Sequence, residues 1–399
     1  MTAGHAPAGR LHPTILRDGF RLFFLAAGLW SALAMAGWAA VLATGRSLPT
    51  WFDPLTWHIH EMLFGFVAAT VAGFLLTAIP NWTGRPLVRG GPLAVLGGLW
   101  LLGRVACLAP AMVPHWLVIA ADMAFPVALL AVAVREIAAG RKWRQAVVIG
   151  PLTVLAFANL LMHLEAATAI DAEGSGWRLA LAAVLVLIAV IGGRIVPAFT
   201  RNWLVLRQAA RLPAGAGRID AVALGILAAA LVGWAAFPAF QPIGWLLVLA
   251  AVLHLVRLLR WRGHLARAEP LLLVLHVGYG WLVLGTGLLG LAVVGADMAR
   301  SAAIHALTAG AVGTMTLAVM TRATLGHTGR ALTADRATAS VFVLVNLAAL
   351  ARVASAFSAD WAMSLLMASA ASWVGAFGVF LLSYGPILVL PVERRPNAV

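Results

Sequence analysis

Apolar stretches of about 20 residues recur from one end of this chain to the other, and that feature fixes its solvent. A helix rising 1.5 Å per residue needs about 20 apolar residues to cross a bilayer core of about 30 Å. Twelve such stretches can be read, at 20–43, 58–80, 92–109, 112–137, 146–168, 178–199, 219–237, 241–261, 270–294, 300–321, 337–357 and 361–388. Of the 399 residues, 62% are hydrophobic and 11% charged, whereas a soluble domain is roughly half apolar and a quarter charged. No polar block is long enough for a separate soluble domain. The fold class expected is therefore all-α: a polytopic membrane helical bundle of about twelve transmembrane helices over 20–388. A lead-in (1–19) precedes it and a tail (389–399) follows.

The formal net charge of +14 is an excess that nucleic-acid binders also show. Here the arginines sit in short loops between apolar stretches, so topology accounts for them and no nucleic acid is expected as a partner. One set of loops carries Arg85 and Arg89, Arg135 to Arg144, Arg201 to Arg218, Arg257 to Arg267, and Arg322 to Arg336. Both termini join that set through Arg10, Arg17, Arg394 and Arg395, while the opposite loops hold about four basic residues and the acidic DAEGSG segment. The positive-inside rule then puts both termini in the cytoplasm. The polar Met1–Leu16 stretch has no short apolar region and cleavage site, and reads as a lead-in and not as a signal peptide. The lone cysteine, Cys107, cannot form an intrachain disulfide.

Orientation turns the histidines into a map. His58, His60, His163 and His305 fall near the outer ends of the second, fifth and tenth helices, with Glu61 and Glu165 beside them. In WHIHEMLFGF, His58 and Glu61 are three apart and share a helical face, while His60 lies roughly opposite. Imidazole is a common ligand of haem iron, copper and zinc, and its second nitrogen needs a partner such as Glu61. Asn159, one turn below His163, is a second candidate partner. Any one of these histidines is explained as well by headgroup solvation; the four together favour metal or haem. On the inner side, His276 shares a face with Tyr279, His254 sits one turn before Arg257 near a basic loop, and His264 and His327 fall in basic loops.

Arginines inside apolar spans are the second signal, because an unpaired charge in lipid is costly. Arg194 in IGGRIVPAF should face the bundle interior or snorkel, and Gly192–Gly193 thins the helix enough to admit something bulky. Arg104 is ambiguous between the two uses. The exits of the second, sixth and tenth helices also read alike: TAIPNWTGRPL, RIVPAFTRNWL and LAVMTRATLGHTGR, four helices apart. This spacing suggests a threefold repeat of four-helix units. Behind His305 runs a seam of Ala, Gly and Thr that a flat macrocycle, or another helix, could approach closely.

Five segments, GFRLFFLAAGLW, HIHEMLFGF, GFLLTAIPNWTGRPL, GGRIVPAFTRNW and HALTAGAVGTMTLAVMTRATLGHTGR, together resemble the NnrS family over nearly the whole chain. The resemblance implies a twelve-span protein of the bacterial inner membrane that contains haem and copper and takes part in denitrification and in protection from nitric oxide or iron–nitrosyl species. The helix count, cytoplasmic termini and threefold pattern also resemble the haem-copper oxidase architecture, whose second and tenth helices supply haem ligands. The copper-ligating histidines of that architecture lie on helices that carry none here, so the analogy extends to the haem site alone.

These readings converge on His58 or His60 opposite His305 at a haem b near the outer face. His163 with the remaining helix-2 histidine could complete an imidazole-bound copper site or a hydrogen-bond network, soft thiolates being unavailable. Arg194, Arg85 and Arg322 lie inward of that site and suit a second cofactor or an anion, with His276 and Tyr279. A haem-dependent redox activity on nitric oxide would follow. The rival readings are a secondary transporter of a small anion or metal-related substrate, without haem, and a haem-holding sensor without turnover.

Overall fold

The computed structural model describes residues 12–46, 48–170 and 173–391. Arg10, Arg394, Arg395 and the outer parts of the lead-in and tail lie outside the described residues, as do the first two positions of DAEGSG. Among the described residues there is no strand. The described residues form twelve apolar helices: α1 (Gly19–Thr44), α2 (Pro54–Thr83), α3 (Gly91–Ala106), α4 (His115–Ala139), α5 (Trp143–Ala166), α6 (Ser175–Leu206), α7 (Arg218–Ala236), α8 (Gln241–Arg260), α9 (Pro270–Val294), α10 (Arg300–His327), α11 (Arg336–Ala354) and α12 (Ala362–Val389). All but the shorter α3 are long and apolar enough to cross a membrane. The arginine-rich loops collect at one end of the bundle, called here the basic end.

Local chemistry sets several helix boundaries. Asp53 caps α2 by accepting the N–H groups of Leu55 (3.0 Å) and Thr56 (3.1 Å), with Pro54 in the first turn. Gly84 closes the same helix with φ of 73°, a left-handed conformation that glycine adopts without steric cost. Asp335 opens α11 by accepting the N–H of Thr338 at 2.7 Å. Two helices run further than the hydropathy pattern indicates: α6 to Leu206 and α10 to His327. His327 is thus the last residue of a helix and not a loop residue.

Burial separates an inner trio from an outer ring. In the most apolar stretches of α2, α6 and α10, 83%, 61% and 72% of the residues are buried; the other eight long spans reach 50% at most. The three inner helices, which are those with similar exits, pack on one another, and α1, α9, α11 and α12 pack around them.

Both α2 and α10 widen into π-helical turns, Glu61–Val67 and Ala306–Val312, directly after His60 and His305. A π turn shifts the hydrogen-bond ladder by one residue and re-aims the side chains that follow. In α2 the displaced carbonyl of Gly65 accepts Trp100 Nε1 at 2.9 Å, and the missing Gly65 side chain leaves room for the Trp30 indole. In α10 the small-residue seam is filled by indoles: a Cβ at Gly310 would lie 2.6 Å from Trp281, and one at Gly313 2.6 Å from Trp373. Of the two uses open to this seam, a flat macrocycle or another helix, helix packing occupies it.

Candidate metal centre

At the end opposite the basic loops, α2, α3, α4 and α5 bring a buried polar cluster together. His60 and Glu61 come from α2, Arg104 from α3 with Cys107 just beyond it, His115 and Asp122 from α4, and Asn159 and His163 from α5. All eight are buried. Glu61 Oε1 and Oε2 each accept from Arg104 Nη1 at 2.7 Å, and Oε2 also accepts from Trp30 Nε1 at 2.6 Å. The second guanidinium nitrogen of Arg104 reaches Asp122 Oδ1. The other Asp122 oxygen, Oδ2, receives Asn159 Nδ2 (2.8 Å) and lies 3.0 Å from His163 Nε2 and 3.1 Å from His60 Nε2.

With the imidazoles neutral, the charges do not cancel within this group. Two carboxylates (Glu61, Asp122) against one guanidinium (Arg104) leave one negative charge in the membrane-spanning part of the protein. A charge buried there must be compensated. Hydrogen-bond accounting says where. His60 Nδ1 faces Glu61 Oε1 at 3.0 Å, and His60 Nε2 faces Asn159 Oδ1 at 2.8 Å together with Asp122 Oδ2. Every one of these atoms is an acceptor, so the ring must present hydrogen or a cation on both sides. His163 donates through Nε2 to Asp122 and faces His115 Nε2 through Nδ1 at 3.3 Å.

Cys107 completes the group. One potential ligand atom from each of His60, Cys107, Asp122 and His163 lies within 4.8 Å of all the others. Ligand atoms around a tetrahedral ion bonded at 2.0–2.3 Å are about 3.3–3.8 Å apart, so contraction by about an ångström would close the shell. The Cys107 side chain is buried beside the Asp122 carboxylate. Two imidazoles, one thiol and one carboxylate suit copper or zinc. Glu61 on the second His60 nitrogen is the outer partner that such ligands use to fix ring orientation. The Phe52 ring covers the site at 4.6 Å from His60 and 5.0 Å from His163, and Trp51 stacks on His115 at 4.6 Å.

His58 points elsewhere, as the opposite-face pattern anticipated. Its ring stacks on Trp38 at 4.7 Å, its Nδ1 is buried with no partner among the described residues, and His305 and Arg352 lie within electrostatic reach. His305 Nδ1 donates to the Ser301 carbonyl at 2.8 Å, which leaves Nε2 with its lone pair free. Two histidine groups thus flank α2: His60 with His163 on one side, His58 with His305 on the other.

Several pairings differ from those expected. Glu61 partners His60 and not His58, because the π turn begins at Glu61 and turns it toward Arg104. Asn159 bonds His60 and Asp122 and not His163. The thiol that was set aside stands in the cluster. His276 and Tyr279 do not form a pair: His276 bonds the Leu272 carbonyl at 3.0 Å, while Tyr279 accepts Arg257 Nη1 at 2.6 Å and meets His254 Nδ1 at 2.7 Å. His254 is buried, its Nε2 donating to the Ala223 carbonyl, and Arg257 also holds Asp220 at 2.9 Å. This network ties α7, α8 and α9 together with its polar atoms satisfied. The Gly192–Gly193 notch admits Arg257 and Tyr279.

Arg194 is exposed and donates to Gln145 Oε1 at 2.8 Å. Arg85 pairs with Glu136 at 3.0 Å. Arg322 lies on the wall of a cavity at the basic end. These three do not converge on one inner site.

Sequence reasoning passed over Cys107, His115 and Asp122. The available signal was Asp122: a carboxylate inside an apolar span, at the depth of the histidines and of Arg104.

No curated protein matches the chain. The profile of the NnrS protein family matches residues 14–391, nearly the whole length, and the chain belongs to that family.

Proposed function

We propose that this chain is an inner-membrane metalloprotein of the nitric oxide response that binds a copper ion through His60, Cys107, Asp122 and His163. The observation that carries the proposal is the buried quartet itself, in which His60 faces acceptors on both ring nitrogens and two carboxylates stand against one guanidinium. A cation held by these four side chains would offset that charge. The nitric oxide role rests on the family's described association. In the membrane, the basic end faces the cytoplasm and the cluster faces outward.

Copper bound by imidazole and thiolate supplies one-electron redox chemistry. The protein's own groups do the rest. Glu61 holds the His60 ring, Arg104 holds both carboxylates in place, and Phe52 and Phe64 cover the imidazoles against water. Haem b, the second group implied by the family resemblance, has His58 and His305 as its candidate ligands, because each offers a ring nitrogen without a protein partner. The seam behind His305 does not accommodate it, since Trp281 and Trp373 fill it.

The test is metal analysis of the detergent-purified full-length protein, with absorption spectra taken oxidised, reduced and after addition of nitric oxide. Stoichiometric copper lost in His60→Ala, Cys107→Ser and His163→Ala, and a Soret band lost in His58→Ala and His305→Ala, is the expected pattern. A colourless protein without copper or iron, after expression with both supplied, would overturn the proposal and favour the transporter reading.

A further inference from the structure

The three helix exits that read alike in sequence line one cavity. It lies between the basic ends of α2, α6 and α10, with walls also from α1, and encloses about 340 Å³, the lower range of small-molecule sites. Its mouth is at the basic end, where Gly326, His327 and Leu332 are exposed. Phe24, Phe74, Trp82 and Phe199 give it an aromatic wall. A second gap of about 70 Å³, sharing Phe74, Ile195 and Val319 with the first, continues toward the bundle centre between the same three helices.

Arg322 is the group without an explanation. Its guanidinium is always charged and carries five donors, yet it makes no ion pair or hydrogen bond among the described residues and only lies over the Phe199 ring, 4.2 Å from its centroid. Glu269 is within electrostatic reach, but its Oε1 receives the N–H groups of Leu271 at 3.1 Å and Ala334 at 3.4 Å. Two further polar side chains line the same wall: Asn81, which donates once to the Thr77 carbonyl, and His327, which meets the Phe20 ring at 5.5 Å and has Asp18 within electrostatic reach. A cation in a membrane-spanning helix without an ion pair or hydrogen bond among the described residues, facing an aromatic cavity open at one end, is a receptor for a negative charge.

We propose that this cavity binds an anion carried on an apolar or aromatic body. Arg322 pairs with the anionic group, Asn81 and His327 hydrogen-bond to it, and the body lies among Phe24, Phe74, Trp82 and Phe199 and extends into the second gap. The site is at the opposite end from the histidine cluster, and it stands whether or not that cluster binds a metal. Two sources share this chemistry: an acidic lipid of the leaflet at the basic end, and a soluble amphipathic anion.

The test uses the full-length protein in phosphatidylcholine nanodiscs, titrated calorimetrically with 2-naphthoate and with its neutral counterpart 2-naphthalenemethanol, empty discs being subtracted. The expected result is saturable binding of the carboxylate, weaker by about ten-fold or more for the alcohol and for Arg322→Gln, intermediate for Arg322→Lys, and lost when Ala323→Trp fills the cavity. Metal content and elution profile should be unchanged in Arg322→Gln. Repeating the titration in discs containing phosphatidylglycerol separates the sources: competition identifies a lipid headgroup, and its absence a soluble anion. Equal affinity for acid and alcohol, unchanged affinity in Arg322→Gln, or no saturable binding by the wild type would each overturn the proposal. The wild-type comparison of acid with alcohol decides the matter even where a variant fails to fold.

Discussion

His60 and His163, on neighbouring helices, address the same atom: Asp122 Oδ2 lies 3.1 Å from His60 Nε2 and 3.0 Å from His163 Nε2. The oxygen that joins them belongs to a carboxylate whose other oxygen is held by Arg104. The cluster is therefore one electrostatic unit, and perturbing any member should be felt by all.

Asp122→Asn tests that unit with little change in shape. It removes the negative charge that makes a cation favourable, so bound copper per chain should fall to about a tenth or less, consistent with the 10–100-fold cost typical of disturbed metal-site partners. Asp122→Ala should in addition destabilise the fold, by about 3–5 kcal/mol if the loss of one partner leaves Arg104 incompletely paired. Metal analysis and thermal melting of the two variants separate binding from folding. Full copper occupancy in Asp122→Asn would remove this carboxylate from the ligand set.

The two histidines of HIHE should be separable. His58 and His60 leave α2 on opposite sides, toward Trp38 and toward Asp122 respectively. His60→Ala is expected to abolish copper binding while any haem absorbance persists; His58→Ala should do the reverse. Loss of both signals in either variant would mean one shared site or a folding defect, and the elution profile distinguishes the two.

Much of this was legible in the chain itself, and the reasons differ by level. The helices were legible because lipid makes apolar length a sufficient criterion: all twelve were expected, and the exceptions are extensions at the ends of α6 and α10. The outer histidines were legible because orientation puts His58, His60, His163 and His305 at one depth. Their partners were less so, because the π turn at Glu61–Val67 rotates side chains in a way no 3.6-residue period predicts. Cys107 was dismissed because a lone cysteine carries no spacing signal; only the meeting of four helix ends gives it neighbours. Tyr279 was assigned to His276 by its i+3 spacing, yet a tertiary partner, Arg257, won it.

Asp335 offers a test of a helix boundary remote from the site. The N–H of Thr338 at 2.7 Å holds its carboxylate below the usual range. An acid depressed on folding stabilises the protein above its unfolded value of about 3.9 and loses that contribution as pH falls through the folded value. Asp335→Ala should therefore cost about 1 kcal/mol at neutral pH, and the difference from wild type should shrink as the pH drops below about 4. A gap that stayed constant down to pH 2 would assign the effect to something other than the cap.

Cys107 provides the most direct chemical readout of the metal centre. Being only 2% exposed, it should react slowly with maleimide in metal-free protein. A thiol must lose its proton to become a thiolate ligand, so copper uptake should release a proton and weaken as the pH is lowered. Proton release on copper addition, followed in weakly buffered solution, should be present in the wild type and reduced in Cys107→Ser. Equal release in both would show that the thiol stays protonated and that imidazole and carboxylate hold the ion without it.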